Sequence, residues 1–513
     1  MNKPNFHSAI RNASAALILT GLLGMTNLAN AGTKNNPPPS RPAQAPKPAQ
    51  AQARPAQPAY RPAQPQQRSV QPQQRSVLPQ QRPVQPPTKS AGGTGGVVPS
   101  GSHPPTQVAH PSSQKATVPK GITERKAPNG STVQRRANGT PSEIHDTKRG
   151  MTVHHGLNGG RRVMVEDHNH NRTVYQKGRA GYVQHPYSYH GHDFAQRTYV
   201  FHGRAYSRSY MGYSYRGAYL SVYAPGVFYS PFFYGWAYNP WASLIAFGWG
   251  FAGSPWFGYY GYYFTPDASY PSASYWLTDY MISSDLQADY AAHMEANEAD
   301  GAAPAAAGSP MLTADVKQQI ASEVNAELAR ENQEAQHSAL NLDPSPWPSS
   351  IDRLLDDAAH GKQHVFVVGA PLDVVDATQA ECSLSDGDVL ALQTAPPSDT
   401  DVPVVDLVVL ASKGGQECQK QATVSVALAD LQEMQNHMRE SIDQGLQELQ
   451  AKQGKGGLPA LPSAAQAQPA QAPYAAIAPP PDPNAATEIQ KQAQQADQAE
   501  QEVTTEAGPG GSQ

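Results

Sequence analysis

Met151-Thr-Val-His-His155, Leu157-Asn-Gly-Gly160 and Arg161-Arg-Val-Met-Val-Glu166 decide the fold of the first half of this chain. Two runs rich in β-branched residues flank a turn in which Asn and Gly supply the positive φ angles of a tight hairpin. The pattern repeats, with a turn at 167–171, a strand at 172–176, and further short strands predicted at 181–184, 197–202, 204–210 and 213–223. The sequence therefore predicts a β-meander in which tyrosine alternates with arginine or serine.

The fifty residues between Arg216 and Asp267 carry no charged side chain and are rich in Tyr, Phe, Trp and Gly. Exposing that much apolar area to water costs roughly 25 cal/mol per Å². The stretch must therefore pack in a core, self-associate or lie against a membrane surface. Prolines at 231, 240 and 255 interrupt every candidate transmembrane helix. We expect it to continue the meander, in an aromatic β module over 143–298 that ends in a helix.

A linker and an amphipathic helix are predicted over 299–344, with Thr313 as the helix cap. Apolar residues follow the cap at four-residue steps, at Val316, Ile320, Val324 and Leu328. A stripe this narrow is typical of a pairing face, so we expect the helix to pack on a neighbour or to self-associate.

A small α+β domain is predicted over 345–452, with six short strands in a sheet or barrel and a long terminal helix. Cys382 and Cys418 lie in this domain and are the two cysteines of the chain. In an oxidising compartment such a pair is expected to form one disulfide.

Both ends of the chain have the composition of non-globular segments. Residues 1–31 match a secretory signal peptide, with a positive start, a short apolar run and a small-x-small site at Ala29-Asn-Ala31. Residues 32–142 are rich in Pro and Gln, are basic and contain seven-residue repeats, which predicts a disordered tether. Residues 453–513 are rich in Gln, Ala and Pro, which predicts a disordered tail. These features predict export to the periplasm, the cell envelope or the extracellular space.

Charge is distributed unevenly although the net charge is only −4. Residues 134–216 contain 13 Lys and Arg against 5 Asp and Glu, and residues 267–452 contain 8 against 30. The two regions are electrostatically complementary, so they are expected to contact each other or different partners.

Arginine and tyrosine alternate in the predicted strands from 204 to 216. One interpretation is a face that binds an anionic glycan or a membrane surface, and the other is a solvated sheet face on which tyrosine covers arginine stems. Nucleic acid is not an expected partner of an exported protein. The candidate binding residues are Arg204, Tyr206, Arg208, Tyr210, Tyr213, Tyr215 and Arg216.

Tryptophan marks candidate contact sites in the charge-free stretch, because its ring favours interfaces. Trp236, Trp241, Trp249 and Trp256 are the candidates for assembly or membrane contact. Histidine pairs are weak candidates for a metal site, since an i, i+2 pair on a strand points both rings to one face. These are His168, His170, His190 and His192. We predict no metal, no cofactor and no catalytic residue, because no nucleotide, hydrolase or zinc-peptidase motif occurs.

Several sequence blocks are similar to those of a known group of proteins. Phe232-Phe-Tyr-Gly-Trp-Ala-Tyr-Asn-Pro-Trp241, the block from Ser254, Leu312-Thr-Ala-Asp-Val-Lys-Gln-Gln-Ile320 and Asp386-Gly-Asp-Val389 resemble exported proteins of Gram-negative bacteria with no established activity. The resemblance covers about 145–450. It implies export and this architecture, and it adds no catalytic residue.

The expected fold is mixed, with disordered termini, a central aromatic β-meander, a connecting helix and a small α+β domain. The leading functional hypothesis is a non-enzymatic exported envelope protein that acts in structural assembly or interaction, including self-association, through its aromatic module. The alternatives are a module that binds anionic glycan or a membrane surface through the arginine–tyrosine face, and a metal-dependent hydrolase at the histidines.

Overall fold

A ten-stranded antiparallel sheet dominates the computed structural model, which describes residues 119–296, 312–340, 347–393, 404–414 and 417–508. Its strands are hydrogen-bonded in chain order, so the predicted meander is confirmed. It begins at Thr123 rather than near residue 143. The strands are β1 (Thr123–Lys126), β2 (Thr132–Arg135), β3 (Pro141–Asp146), β4 (Met151–His155), β5 (Arg161–Glu166), β6 (Arg172–Gln176), β7 (Gly181–Tyr189), β8 (His192–Phe201), β9 (Arg204–Tyr215) and β10 (Ala218–Ala224).

The hairpin that opened the sequence argument has the predicted register. Met151 is paired with Val165, and His155 with Arg161. Gly159 in the turn has φ of 79°, which a residue with a Cβ rarely adopts. The amide of Gly160 donates to the side-chain oxygen of Asn158 at 3.0 Å, so the Asn-Gly sequence closes the turn locally.

The charge-free stretch contributes β10 to the meander and then leaves the large sheet after Ala224, which corrects the prediction that the rest of it continues the meander. After a two-residue strand, β11 (Val227–Phe228), it forms α1 (Pro231–Tyr238) and α2 (Pro255–Tyr260), and α3 (Ala273–Ala296) follows. Ser230 caps α1 by accepting from the Phe233 amide at 3.2 Å, and a proline occupies the first position of each short helix. These are helix-start signals that the aromatic composition hid.

The predicted amphipathic helix is α4 (Ala314–Ala339), with Thr313 as its cap. Its stripe is fully buried inside this chain, in the same core as the aromatic residues of α1 and α3. Of the two expected alternatives, the stripe therefore packs on neighbouring elements of the same chain. Its neighbours are α1 of the charge-free stretch and α3, which follows that stretch.

The predicted elements of the C-terminal half are present. Helix α5 (Ile351–Ala359) is followed by β12 (His364–Val367), β13 (Leu372–Asp376), β14 (Glu381–Leu384), β15 (Val389–Leu392), β16 (Val404–Ala411), β17 (Thr423–Ala427) and α6 (Leu428–Lys452). The strands form an antiparallel sheet in the order β12-β15-β16-β17-β13-β14. Cys382 and Cys418 form the expected disulfide, with their Cα atoms 5.0 Å apart.

Helix α6 belongs to two hydrophobic cores. Its first turns pack in the second core, which is formed with α5 and the six-stranded sheet. Its second half packs in the aromatic core, which contains the buried aromatic residues of α1, α2 and α3. Gly445 lies where α6 crosses α3, and a Cβ there would be 2.3 Å from a methyl carbon of Leu277. All described residues belong to one compact unit, 98–513.

The tail predicted to be disordered from 453 is ordered up to residue 508. It contains β18 (Ala470–Gln471), which pairs with β11, then α7 (Pro473–Ala476) and α8 (Ala485–Glu506). Ala496, Ala499 and Val503 of α8 are buried against valines of the large sheet. Because these residues are small, α8 can approach the sheet closely, and the sheet supplies most of the apolar area of this contact. The predicted signal peptide, most of the tether and the linker at 299–311 lie outside the described residues.

Candidate functional site

The candidate arginine–tyrosine face is largely covered by helix α6. Arg208 and the hydroxyl of Tyr210 both bind Glu440. Arg197 binds Glu433 through both terminal nitrogens, at 3.0 and 2.8 Å. The basic and acidic regions of the sequence therefore dock on each other within one chain.

The other members of the candidate face have separate surroundings. The Tyr213 hydroxyl donates to Gln432 of α6 at 2.8 Å, and Tyr215 packs beside the second core. Arg216 lies in the turn before β10, with its guanidinium over the Tyr215 ring. Arg204 and Tyr206 are exposed at the β8–β9 turn. The structure thus separates the seven predicted residues rather than assembling them into one open face.

A cavity of about 370 Å³ remains between the sheet and helices α3 and α6. We call it the arginine–tyrosine cavity, since its lining includes Arg162, Arg197, Arg208, Tyr182, Tyr199 and Tyr206. Arg197 and Arg208 are cross-strand neighbours on β8 and β9, and so are Tyr199 and Tyr206. Two of the seven predicted residues, Tyr206 and Arg208, therefore line a concave site.

The neighbours of two titratable groups of α6 that line this cavity shift the pKa of each group in the direction that favours its charged form. Burial raises the pKa of Glu433, but the guanidinium of Arg197 outweighs it and leaves the pKa below its ordinary value. Burial lowers the pKa of His437, but the carboxylate of Asp285, 2.7 Å from Nε2, outweighs it and raises the pKa. The cavity wall is therefore strongly polar.

The four candidate tryptophans occupy a gradient from core to surface. Trp256 is buried in the aromatic core. Trp249 is half-buried, donates from Nε1 to the Tyr270 hydroxyl at 2.6 Å and stacks on Trp276. Trp236 and Trp241 are half-buried with ring centroids 5.5 Å apart. Packing inside the protein therefore explains the positions of Trp256 and Trp249, whereas Trp236 and Trp241 lie nearer the surface.

Three exposed apolar side chains lie near that pair in the sequence. Phe232 is 67% exposed, Tyr238 49% and Leu244 68%. Phe232 lies one helical turn from Trp236 on α1. We call Phe232, Trp236, Tyr238, Trp241 and Leu244 the aromatic surface. No charged residue occurs in the sequence around it.

The four candidate histidines lie in or next to turns between strands. His170 has φ of 62°, contacts the buried Glu166 through Nδ1 at 3.0 Å and stacks on the Tyr219 ring. His168 is exposed two residues before it, while His190 and His192 flank the β7–β8 turn. Within the described ranges, no three His, Cys, Asp or Glu side chains are arranged to hold a metal ion.

A buried group of carboxylates between α4 and α6 was missed by the sequence argument. Arg439 binds Glu334 at 2.6 Å, and Glu327 and Asp443 are its buried neighbours. Burial raises the pKa of Glu334 to about 7. The available signal was the four-residue spacing of Glu323, Glu327 and Glu331, which parallels the apolar stripe of α4.

Comparison with known proteins finds no matching family model, no matching curated protein and no matching solved structure. The resemblance to exported Gram-negative proteins therefore gains no support from these searches. Among the residues that the structure describes, no helix has the length and apolar character needed to cross a membrane.

Proposed function

We propose that this chain is a non-enzymatic exported protein of the cell envelope that attaches to a lipid–water interface through its aromatic surface. The observation that carries the proposal is the exposure of Phe232 and Leu244, each about two-thirds accessible, in a stretch without charge. Large exposed apolar side chains grouped in this way mark interaction sites.

A lipid interface fits the residue types of this surface. Trp and Tyr favour the headgroup level, where the ring is apolar and its N–H or O–H can still find a partner. Phe232 and Leu244 would enter the acyl boundary, and no charged group of the stretch would have to be desolvated.

Export is supported by two features of the chain. The first residues have the pattern of a secretory signal, and the two cysteines form a disulfide, which persists in oxidising compartments. Fractionation of the native cells would test this part. Recovery in the membrane pellet after salt and carbonate washes is the expected result, and recovery in the cytosol would exclude export.

Vesicle co-flotation tests the attachment itself. Wild-type protein is compared with a variant carrying Phe232→Ser, Tyr238→Ser and Leu244→Ser, on vesicles of phosphatidylcholine with and without phosphatidylglycerol. The exposed parts of these side chains amount to about 3 kcal/mol of apolar burial, so the variant should partition roughly a hundredfold less. Because all three are exposed, the fold should be preserved.

The matched control is Met294→Ser, which removes another half-exposed apolar side chain at the end of α3. It should float like the wild type. Equal flotation of the triple variant and the wild type would refute the lipid contact. A wild-type assembly that forms without vesicles and dissociates in the triple variant would instead assign the surface to self-association.

A further inference from the structure

Lys413 is a buried lysine that lies between two carboxyl groups at one end of the six-stranded sheet. It follows β16, and Asp388 directly precedes β15, so the pairing of Val389 with Ala411 brings the two side chains together. Nζ of Lys413 is 3.0 Å from Oδ1 of Asp388 and 3.6 Å from Oε1 of Glu417. The Lys413 side chain is 5% exposed and that of Asp388 is not exposed. An amine and a carboxyl group are thus held in contact away from solvent.

Aromatic rings and backbone complete the enclosure of this amine. Nζ donates to the backbone carbonyl of Asp386 at 2.7 Å. The ring centroids of Tyr263 and Tyr260 lie 5.5 and 6.0 Å from Nζ, and both tyrosines are buried. Keeping two charges in such a site costs desolvation, whereas an amide formed from them would carry no charge. The surroundings therefore favour a neutral product over an ion pair.

The protonation states of the pair define the first requirement for such a reaction. Burial raises the pKa of Asp388, and the charge of Glu417 raises it further. Burial lowers the pKa of Lys413, but the carboxylates of Asp388 and Glu417 outweigh it and raise the pKa. The amine therefore starts as an ammonium group, and one proton must pass from it to Asp388 before it can act as a nucleophile.

Condensation of the pair also needs a group that moves a second proton. After the first transfer, the Nζ lone pair attacks Cγ of Asp388. Glu417 accepts one of the two remaining Nζ protons and returns it to the leaving hydroxyl group. An Nζ–Cγ bond forms, a Cγ–O bond breaks and one water molecule leaves, so no further reactant is required. The Gly414 amide donates to Oε2 of Glu417 at 2.9 Å, which holds Oε1 toward Nζ.

A second buried lysine provides an internal comparison. Nζ of Lys317 lies 2.6 Å from Asp279 and 2.7 Å from Asp267. Burial raises the pKa of Asp279 as well, but its Oδ2 accepts the Tyr270 hydroxyl and the Asp267 amide, at 2.7 and 2.6 Å. These two hydrogen bonds oppose protonation of the carboxylate. The side chain of Asp267 is also 36% exposed, so water reaches this site. We expect the Lys317 pair to remain ionic.

We propose that Lys413 and Asp388 condense to an intramolecular amide cross-link, with Glu417 as the proton carrier. The link would join the turn before β15 to the segment after β16, next to the disulfide of Cys418. Unlike that disulfide, an amide is not opened by reducing agents. The inference concerns a modification of the chain and does not depend on attachment to a lipid interface.

Mass spectrometry of the full chain, reduced and denatured after its N-terminus has been determined, tests the proposal. The wild type should be lighter than its sequence by one water molecule, about 18 Da. The sequence contains no Lys or Arg between Lys362 and Lys413. Trypsin does not cleave after an amide-linked lysine, so it should release residues 363–420 in place of 363–413, and the longer peptide should carry the loss of water.

Variants then assign the reacting groups. Lys413→Arg and Asp388→Ala should each have the full mass of their sequence. Glu417→Gln keeps both reacting groups and should form the link at least tenfold more slowly, measured by the linked fraction at successive times after synthesis. The matched control is Lys317→Arg, which alters the comparison pair and should lose water like the wild type.

The wild-type measurement is decisive even if a variant fails to fold. Wild-type protein of full sequence mass, cleaved normally after Lys413, would overturn the proposal. Loss of water with normal cleavage after Lys413 would also overturn it, because a succinimide at Asp386-Gly387 has that signature. A loss of water that persists in Lys413→Arg, or that disappears from folded Lys317→Arg, would place the link elsewhere. A link that forms equally fast in Glu417→Gln would overturn the role of Glu417.

Discussion

Glu433→Gln tests the docking of α6 on the large sheet, which depends on the ion pair with Arg197. The substitution keeps the size and shape of the side chain and removes its charge. Arg197 then remains in the interior without its counter-ion. We expect a strong loss of stability, because a buried charge without a partner is costly.

The structure sets the size of this loss. The Arg197 side chain is 1% exposed, and both terminal nitrogens bind Glu433. Breaking a buried pair by removing one partner costs about 3–5 kcal/mol. Arg197 keeps the Gln184 oxygen at 2.9 Å and its position over the Tyr210 ring, and the new amide can return one hydrogen bond. We therefore expect the lower end, about 3 kcal/mol.

Urea unfolding of the two proteins, followed by circular dichroism, measures this difference. The matched control on the same helix is Glu448→Gln, whose partner Lys452 is 3.1 Å away and well exposed. That change should cost less than about 1 kcal/mol, as exposed pairs do. If Glu433→Gln costs no more than this control, the pair does not hold α6 on the sheet and our reasoning is refuted.

Three further predictions concern stability. Cys382→Ser with Cys418→Ser removes a link between residues 36 apart and should cost about 4 kcal/mol in a chain-entropy treatment, measured by urea unfolding; an unchanged midpoint would contradict a formed disulfide. Burial holds the folded pKa of Glu334 near 7 against 4.5 unfolded, so unfolding releases its proton and stability should fall as pH rises from about 4.5 to 7. Between pH 5 and 8, the free energy of unfolding of Glu334→Gln should fall by about 3 kcal/mol less than that of the wild type. Parallel curves of unfolding free energy against pH would show that Arg439, Glu327 and Asp443, which face Glu334, offset the effect. Ile489→Ala should lower the free energy of unfolding by about 2–4 kcal/mol, because α8 buries this side chain against the sheet. A loss below about 0.5 kcal/mol in thermal unfolding would show that the tail is not packed on the sheet.

Local patterns predicted most of the secondary structure. The Asn-Gly turn and the β-branched runs predicted the hairpin of β4 and β5, and the Thr313 cap predicted the start of α4. These elements were predictable because hairpin turns and helix caps depend on residues close in sequence. The fold of residues 229–266 was not predictable in this way, since their aromatic composition suits strands and short helices alike.

The candidate site was predicted only in part, because ion pairing between distant segments is not a sequence pattern. Arg208 and Tyr210 were candidates for binding a polymer, and both bind Glu440, more than two hundred residues away. The tail misled for a related reason. Ala496 and Ala499 are too small to mark a core by composition, and they are buried because the valines of the sheet supply the apolar area.

The sequence by itself determined the order of the meander strands from β4 to β10, the charge-free stretch, the disulfide partners and the opposite charges of the two halves. Each follows from residue type and spacing. Only the tertiary structure decided which arginines are neutralised, which aromatic residues remain exposed and that the tail closes one face of the sheet. These outcomes depend on how elements far apart in the chain pack, since burial and charge pairing are properties of the assembled core.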